Sequence, residues 1–301
     1  MKNILVIGSL NLDTVIEAPK MPKAGETLSG TGVSQVPGGK GANQAYAAGK
    51  LLGTVKMIGA VGDDTPGQIL VKNLESVGVD TSSIAVIPGG TTGQAFITVD
   101  ESGENSIIII AGTNGEVTEE LIRKHMTDIE KADIVIMQLE IPLKTVEYVK
   151  DLAVGLGKTV ILDPAPAVPN LPDSFWKGID YIKPNETELS ILAGRPLNNM
   201  EEIRDGARAM LDKGVKNVLV TLGGEGCLFV TGESEEYYPA CKVEAVDTTA
   251  AGDSFTAAFA LALSRGESCG DAIRFGQKVS AIAVTRKGAQ TSIPSPEEIV
   301  G

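Results

Sequence analysis

Residues 247–253 read DTTAAGD and run directly into the small-residue segment SFTAAFA at positions 254–260. Gly252 and the small side chains allow the backbone to turn tightly and to approach a ligand closely. A helix that opens at Asp253 offers unpaired N–H groups and the positive end of its dipole, which together favour an anion. An acidic residue at this point either has chemistry to perform or simply caps a buried helix, and the segment alone leaves both interpretations open.

Apolar runs of strand length alternate with amphipathic segments of helix length along most of the chain. The runs predict strands at residues 4–7, 55–61, 134–137, 160–162, 181–182 and 218–222. The amphipathic segments predict helices at residues 42–52, 67–77, 118–129, 143–156, 200–213 and 269–284. This alternation is typical of an α/β fold with a doubly wound, mostly parallel sheet flanked by helices.

Two stretches interrupt the alternation and predict a small β-sheet lid. Residues 12–37 and 92–111 contain no convincing helix, and a Ser102-Gly103 turn separates two alternating runs at 94–99 and 106–110. We expect the lid to comprise residues 11–37 and 92–111, and the main α/β domain to comprise residues 1–10, 38–91 and 112–301. Lids on such domains usually cover a site at the carboxyl ends of the strands.

Composition excludes several classes of partner. A net charge of -13 argues against nucleic acid or an anionic membrane, because both require clustered Lys and Arg. The three cysteines are far apart and predict neither a disulfide framework nor a zinc site, which is consistent with a cytoplasmic protein. The N-terminus fits a first buried strand better than a signal peptide, and the apolar run at residues 107–111 is too short to span a bilayer.

Residues 37–44, PGGKGANQ, form a glycine-rich turn that leads into an Ala-rich helix. The spacing matches neither a Walker A loop nor a dinucleotide fingerprint, and taken alone the segment could be a plain helix entry. Asn11 and Asp13 lie two apart on a predicted extended chain and therefore point to the same side. Together these groups could bind the several hydroxyls of a sugar.

Two further segments follow predicted strands. Asn185 and Glu188 would face one way on a helix, which suits a magnesium ion that keeps most of its waters, although a helix cap with Glu188 at the third position fits equally well. Residues 221–226, TLGGEG, could form a backbone shelf for phosphate or purine, or a hairpin turn. The sole histidine, His125, is expected on an exposed helix face, so Asp253 is the best candidate for a catalytic base.

Together these motifs resemble the ribokinase (pfkB) family of carbohydrate kinases, which also includes fructokinases and adenosine kinases. GGKGAN at 38–43 and DTTAAGD at 247–253 are the two signatures of the family, and the similarity extends to AVTRKGAQ at 283–290. Asn11, Asp13, the intact GGKGAN string and Glu140 resemble ribokinases more than adenosine kinases. The resemblance implies a ribokinase-like fold and the phosphorylation of ribose at its 5-hydroxyl by ATP with Mg²⁺.

The resemblance also implies a role for each matching residue. Asp253 would be the base, and the N–H groups of Ala250, Ala251 and Gly252 would form an anion hole for the moving phosphoryl group. The sugar would be held by Asn11, Asp13, Gly39, Lys40, Gly41, Asn43 and Glu140. The nucleotide site would comprise Asn185, Thr221, Gly223, Gly224, Gly226, Gly252 and Gln277, with Glu188 acting on Mg²⁺ through water.

Members of the family also share a monovalent-cation site, and oxygen-only ligation suits K⁺. Its ligands here would be the Asp247 side chain, the carbonyls of Thr249, Ala283, Arg286 and Gly288, and Ser292. The chain departs from the family pattern at Ala250, where Gly is usual, and at Gln277, where Asn or His is common. We expect Ala250 to adopt an angle open to an L-residue and to constrain the loop only mildly, whereas Gln277 makes the nucleotide contact less certain.

Two alternatives to a ribose kinase remain open at this point. The chain could phosphorylate another sugar or a nucleoside, such as 2-deoxyribose, fructose or adenosine, or it could be a non-catalytic sugar or nucleotide sensor. In each case the partners are a small-molecule sugar and a nucleotide rather than nucleic acid or membrane. The apolar run at residues 107–110 further predicts a homodimer formed through the lid.

Overall fold

The computed structural model describes residues 1–299, and the last two residues of the predicted main domain lie outside that range. The strands are β1 (Ile4–Ile7), β2 (Asn11–Ala18), β3 (Gly32–Gly38), β4 (Val55–Gly62), β5 (Asp80–Ile87), β6 (Gly93–Asp100), β7 (Asn105–Ile110), β8 (Ile134–Met137), β9 (Thr159–Leu162), β10 (Tyr181–Ile182), β11 (Asn217–Thr221), β12 (Gly226–Thr231) and β13 (Glu235–Pro239). They form one sheet of nine strands and one of four.

The helices are α1 (Lys40–Lys50), α2 (Thr65–Glu75), α3 (Glu119–Lys124), α4 (Met126–Lys131), α5 (Leu143–Gly155), α6 (Asp173–Trp176), α7 (Glu186–Ala193), α8 (Met200–Asp212), α9 (Ala251–Ser264), α10 (Cys269–Ala283) and α11 (Pro296–Ile299). Short 3-10 turns occupy Gly112–Glu116, Gly223–Glu225 and Gln290–Ser292. In the part of the chain that the structure describes, no helix is both long and apolar enough to cross a membrane.

The larger sheet has the order β13-β12-β11-β10-β9-β8-β1-β4-β5. It is parallel from β11 to β5, whereas β12 and β13 add an antiparallel edge. The six predicted strands and the mostly parallel arrangement are confirmed. Sequence reasoning missed β5, β12 and β13, because β5 is rich in polar residues and the last two form a hairpin continuation of β11.

The larger sheet is covered on both faces, which explains why central strands such as β1 and β8 are apolar throughout. In β1, Ile4 and Val6 pack into the core formed with α1, α2, α9 and α10. Leu5 and Ile7 point the other way, into the core formed with helices α3 to α8. Successive strand residues face opposite sides, so a strand buried on both faces needs a continuous apolar run.

The helix predicted at residues 118–129 is in fact two short helices, α3 and α4, which meet at His125. The His125 side chain is half-buried rather than exposed, and its Nδ1 lies 3.5 Å from Asp128 Oδ2. The prediction of a solvated histidine is therefore wrong. His125 lies in the helix junction, remote from the strand ends at which the candidate site residues gather.

The smaller sheet has the order β3-β2-β6-β7. The predicted hairpin between β6 and β7 is present, with Phe96 opposite Ile108. β2 pairs antiparallel with β3 and parallel with β6. Because β2 follows β1 after only three residues, the smaller sheet starts at the carboxyl end of β1. β1 has β4 on one side and β8 on the other, so the order in which successive strands are placed across the larger sheet reverses at β1. Ligands of open α/β sheets bind at such points.

Candidate active site

The glycine-rich turn before α1 lies against the start of β2. Gly39, the residue that precedes α1, has a φ of 84°. A Cβ atom at Gly39 would lie 2.8 Å from the backbone nitrogen of Asn11, so only glycine permits this approach. Glu140 Oε2 accepts hydrogen bonds from Ser9 Oγ at 2.5 Å and from the backbone N–H of Lys40 at 3.0 Å. The turn, the end of β1 and Glu140 are thus fixed together.

Asn11 is held by a residue that sequence reasoning did not single out. Asn114 Nδ2 donates to Asn11 Oδ1 at 2.7 Å, and Asn114 Oδ1 accepts from the backbone N–H of Leu10 at 2.8 Å. Because Asn114 occupies the carbonyl oxygen of Asn11, the amide nitrogen of Asn11 is the group that can donate to a ligand. The apolar run at residues 107–111, which precedes Asn114, gave no indication of its role. Asn114 belongs to the connection after β7.

Asp13 faces the same space as Asn11. Burial, reinforced by the negative charges of Glu140 and Asp253, raises the pKa of Asp13 to about 7. Its Oδ1 is buried and has no hydrogen-bond partner. Burial also raises the pKa of Glu140. A group of carboxylates with an unpartnered oxygen is suited to a ligand that donates several hydrogen bonds, as sugar hydroxyls do.

Lys40 supplies the opposite charge. Burial lowers the pKa of Lys40, but the charges of Asp253, Asp163, Glu140 and Glu188 raise it more strongly, so the pKa lies above its ordinary value. The side chain therefore stays an ammonium group at neutral pH. It lines the cavity that leads away from the carboxylates.

Asp253 lies where these residues meet α9, with 4% of its surface exposed. Asn43 Nδ2 donates to Oδ2 at 2.9 Å, and Gln44 Nε2 donates to Oδ1 at 3.0 Å. Helix α9 begins at Ala251 rather than at Asp253, and no side chain caps it. The interpretation of Asp253 as a helix cap is therefore wrong. Its carboxylate is instead oriented by two amides of α1.

Ala250, which precedes α9, has φ 57° and ψ 13°, the left-handed conformation. An L-residue adopts this conformation at a cost of roughly 1–2 kcal/mol. The constraint at Ala250 is thus stronger than the mild one expected from the sequence. Ala250, Ala251 and Gly252 all line the cavity.

The start of α9 also has a nearby cation. A Cβ atom at Gly252 would lie 3.2 Å from Lys183 Nζ, so the ammonium group lies over the first turn. Of the amides predicted to bind an anion, the N–H of Ala251 donates to the Thr248 carbonyl at 3.2 Å in this structure. Lys183 therefore adds positive charge that the amides alone would not supply.

A cavity of about 680 Å³ extends from Lys40 and Asp253 along the carboxyl ends of β10 and β11. The predicted nucleotide-site residues that line it are Asn185, Glu188, Thr221, Gly223, Gly224, Gly226, Gly252 and Gln277. Gly223 and Gly224 lie in a 3-10 turn that joins the antiparallel strands β11 and β12, so the hairpin interpretation of this segment is confirmed, and the turn also lines the cavity. Gln277 Nε2 donates to the carbonyls of Tyr238 and Pro239 at 2.9 and 3.2 Å, which anchors the end of β13.

Asn185 and Glu188 form a capping box at the start of α7, as one of the two sequence interpretations predicted. Glu188 also lines the cavity, and its pKa is raised by burial and by the charge of Asp163. Asp163 Oδ1 has no hydrogen-bond partner and lies 3.6 Å from Lys183 Nζ. Two acids near one another, one with an unpartnered oxygen, fit a divalent cation that keeps several waters.

Sequence reasoning assigned no role to Asp163 or Lys183. A signal existed, because each directly follows a strand, β9 and β10 respectively, at the ligand-binding edge of the sheet. Within residues 1–299, no three His, Cys, Asp or Glu side chains are grouped closely enough to hold a metal ion by themselves. A cation at Asp163 and Glu188 would need further ligands from water or from a bound phosphate.

The residues of the predicted K⁺ site come from two neighbouring segments. Asp247 Oδ1 accepts from the N–H and Oγ1 of Thr249 at 2.9 and 2.6 Å, and Oδ2 accepts from the N–H of Gly288 at 2.8 Å. Although burial raises the pKa of Asp247, these hydrogen bonds lower it more, so the carboxylate stays ionised. Ala283 and Arg286 lie in the second segment, joined by an N–H to carbonyl hydrogen bond of 3.1 Å, and Ser292 Oγ donates to Ala289 at 2.7 Å.

Comparison with known proteins gives one consistent relationship. A family model described as pfkB family carbohydrate kinase matches residues 1–296. The ribokinase of Haemophilus influenzae is 42% identical over 299 residues, which cover 99% of this chain and 97% of that protein. A deoxyribokinase of Salmonella typhi is 40% identical over 296 residues, covering 98% and 97%.

A solved structure has the same fold over its full length. The ribokinase of Arabidopsis thaliana, in complex with ribose and ATP, superposes with a TM-score of 0.92 at 33% identity and covers 99% of this chain and 97% of that one. That protein therefore binds both ligands on the architecture described above.

Proposed function

This chain belongs to the pfkB family of carbohydrate kinases and is a sugar kinase of the ribokinase type, and we propose that it transfers the γ-phosphoryl group of ATP to the 5-hydroxyl of D-ribose. The observation that carries the proposal is the position of Asp253. Its carboxylate is hydrogen-bonded to the sugar-side residue Asn43 and lines the cavity that the predicted nucleotide residues share. A hydroxyl bound on the sugar side would meet both a base and an incoming phosphoryl group there.

In this proposal Asp253 accepts the proton of the 5-hydroxyl group of ribose while the oxygen of that hydroxyl attacks the γ-phosphorus. The bond between the γ-phosphorus and the bridging oxygen of ADP breaks as the new P–O bond forms, so ribose 5-phosphate and ADP leave. Asn43 orients the carboxylate through its hydrogen bond of 2.9 Å. Phosphoryl transfer depends mainly on such positioning and on stabilising charge, rather than on covalent catalysis by the protein.

The charge on the moving group would be met by the start of α9 and by Lys183. The N–H groups of Ala250, Ala251 and Gly252 form the proposed anion hole, and the Lys183 ammonium group lies over Gly252. Donors that are already fixed cost no reorganisation during the reaction. The Ala251 N–H is the exception, because it would have to exchange the Thr248 carbonyl for a phosphate oxygen.

The sugar would lie between β2 and the turn before α1. Asp13 and Glu140 would accept hydrogen bonds from hydroxyls, and Asn11 would donate its amide nitrogen, which Asn114 leaves available. Gly39 and Gly41 allow the turn to approach closely, and Lys40 and Asn43 would bind the remaining oxygens. The smaller sheet would act as a lid over this space, because β2 carries both Asn11 and Asp13 into it.

Two cations fit the residues present. Asp163 and Glu188 would hold Mg²⁺ through its waters, and the metal would neutralise phosphate charge. The ionised Asp247, with the carbonyls of Thr249, Ala283, Arg286 and Gly288 and with Ser292, offers the oxygen ligands that suit K⁺. Asn185, Thr221, Gly223, Gly224, Gly226 and Gln277 would line the nucleotide site.

Two properties of the whole protein complete the proposal. The smaller sheet ends in β7, whose residues are all exposed, and we propose that it pairs with a second copy of the chain. The three cysteines are free, which supports a cytoplasmic location.

The experiment that tests this function is a substrate panel. Release of ADP would be measured with ribose, 2-deoxyribose, fructose and adenosine, with Mg²⁺ present. We expect the highest kcat/KM with ribose. An absence of turnover with every member would overturn the proposal, and ligand binding without turnover would indicate a sensor. A preference for fructose or adenosine would overturn only the choice of substrate.

A second candidate substrate is supported by one observation. The relative from Salmonella typhi, at 40% identity, is a deoxyribokinase. The two sugars differ by one hydroxyl, and a site built to hydrogen-bond that group rejects the analogue that lacks it. The ratio of kcat/KM for ribose to that for 2-deoxyribose therefore decides between the two.

A further inference from the structure

Gln44 lies between two acids at the centre of the site. Its side chain is fully buried. Nε2 donates to Asp253 Oδ1 at 3.0 Å and to Asp163 Oδ2 at 2.9 Å. One amide group thus joins the proposed base to the acid on the metal side of the cavity.

The orientation of the Gln44 amide is fixed by its surroundings. Ionised carboxylates only accept hydrogen bonds, so the nitrogen must face both acids, and Oε1 must face the opposite way. There it accepts from Gln138 Nε2 at 2.6 Å. Gln138 is fully buried, and a Cβ atom at Gly8 would lie 2.0 Å from its Oε1. Gln138 Oε1 accepts no hydrogen bond, so Gln138 is placed by packing against the end of β1, and it holds Gln44 through Nε2.

We propose that Gln44 is a positioning residue for phosphoryl transfer, which sets the orientation of the base and ties it to the metal-side carboxylate. The two hydrogens of its NH₂ group are shared between Asp253 and Asp163, so a neutral donor separates two negative charges. With Asn43 on the other oxygen, each carboxylate oxygen of Asp253 accepts a hydrogen bond from an amide of α1. Asp163 Oδ1 accepts no hydrogen bond and lies 3.6 Å from Lys183 Nζ. The inference rests on the proposed kinase activity.

The main variant is Gln44→Met, which keeps the length of the side chain and removes both donors. We expect kcat to fall by about 10- to 100-fold, since a base displaced by a fraction of an ångström to 1 Å loses that much, while the KM values for sugar and ATP change by less than threefold. The acidic limb of the kcat profile should move to higher pH, because a donor to the charged form has been lost.

The pH profile separates positioning from simple support of the fold. The charged groups that face Asp253 from neighbouring elements are Asp13, Glu140, Asp163, Lys40 and Lys183. All of them remain in the variant, so a shift of the limb reports the lost donor. The matched control is Asn217→Leu, which removes a hydrogen bond of 2.8 Å to the Asp180 carbonyl at the other end of β11. It should lower stability and leave the limb in place.

Gln138→Met is the second variant, and it keeps the inference testable if Gln44→Met does not fold. This change allows the Gln44 amide to rotate but leaves the amide in place. We therefore expect kcat to fall, but by less than in Gln44→Met. A folded Gln44→Met enzyme with kcat within threefold of wild type and an unmoved acidic limb would overturn the inference. So would a Gln138→Met enzyme with both unchanged. Failure of the wild-type enzyme to phosphorylate any sugar would instead overturn the proposed function, and the inference with it.

Discussion

Asn43 Nδ2 lies 2.9 Å from Asp253 Oδ2, although the two residues are 210 positions apart in the sequence. Asn43 belongs to α1, which follows the glycine-rich turn, and Asp253 belongs to the first turn of α9. The two helices pack in one hydrophobic core through their small side chains. This contact joins the half of the site that would hold a sugar to the half that would hold a nucleotide.

Asp253→Asn should lower kcat with ribose by at least roughly 100-fold, because it replaces the proposed base by a group of the same shape that cannot take a proton. The measurement is ADP release under saturating substrates. Asp271→Asn is the control, because Asp271 also lies in the first turn of a helix, α10, but is exposed. A loss of less than tenfold in Asp253→Asn would contradict the assignment.

Asp13→Asn should remove a pH dependence of stability in the ligand-free protein. The pKa of Asp13 in the folded protein is about 7, against 3.8 for an unperturbed Asp, mainly because of burial. Between these values the folded state binds a proton that the unfolded chain has released, so the free energy of unfolding falls as the pH rises, by at most about 4 kcal/mol. The destabilisation is complete above pH 7 and absent below about pH 4.

Urea unfolding at pH 5.0 and 8.0 measures this effect. The free energy of unfolding of Asp13→Asn minus that of wild type should be larger, in the direction of a more stable variant, at pH 8.0 than at pH 5.0. An equal difference at the two pH values would show that Asp13 does not titrate in this range.

Ala250→Gly should stabilise the protein by about 1 kcal/mol or less. Glycine adopts the left-handed conformation of Ala250 without the steric cost, although greater freedom in the unfolded chain offsets part of the gain. The same change at Ala257, inside α9 and fully buried, should destabilise by about 1 kcal/mol or more. Thermal unfolding of both variants tests the contrast, and a loss of stability in Ala250→Gly would contradict it.

Potassium should increase kcat, since the ionised Asp247 ties the loop before α9 to Gly288 and a cation at this point would fix that loop. Rates in K⁺ would be compared with rates in tetramethylammonium at equal ionic strength. Asp247→Asn should lose most of the activation by K⁺. Equal wild-type rates in the two cations would remove the proposed site.

Ile109→Lys should convert a dimer into a monomer. β7 is an edge strand of the smaller sheet, and residues 107–110 are each about half exposed, with Ile109 at 54%. The mass in solution, measured by light scattering, should be twice that of one chain for wild type and that of one chain for the variant. Val86→Lys, at a residue 58% exposed on β5, is the control and should leave the dimer intact. A monomeric wild-type protein would contradict the prediction.

Local pattern was enough to predict the parallel core. The continuous apolar runs of β1 and β8 are a direct result of burial on both faces, and the period of α1 and α10 marks the helices that cover them. β5 was not predicted, because its exposed outer face at the edge of the sheet carries polar residues. The division of the predicted helix into α3 and α4 at His125 was not predicted either, because the apolar period continues across it.

The residues of the site were predicted where a motif carries them, and missed where only tertiary structure brings them in. Asp163 and Lys183 are single polar residues after strands, and Asn114 follows the smaller sheet. Gln44 directly follows the GGKGAN motif, but the two acids that it contacts lie 119 and 209 positions away. No spacing rule reveals such contacts, because they depend on the order of strands in space.

The packing of α9 against α1 has a consequence for folding. A nascent chain that ends before Ala251 contains β2 and the turn before α1, which carry most of the proposed sugar residues, but it lacks the base and the helix that closes the core over α1. Contacts between residues so distant in sequence form late, because a long loop must close first. Catalytic activity should therefore be the last property to return during refolding, after the helical signal, and its recovery would report the docking of α9 against α1.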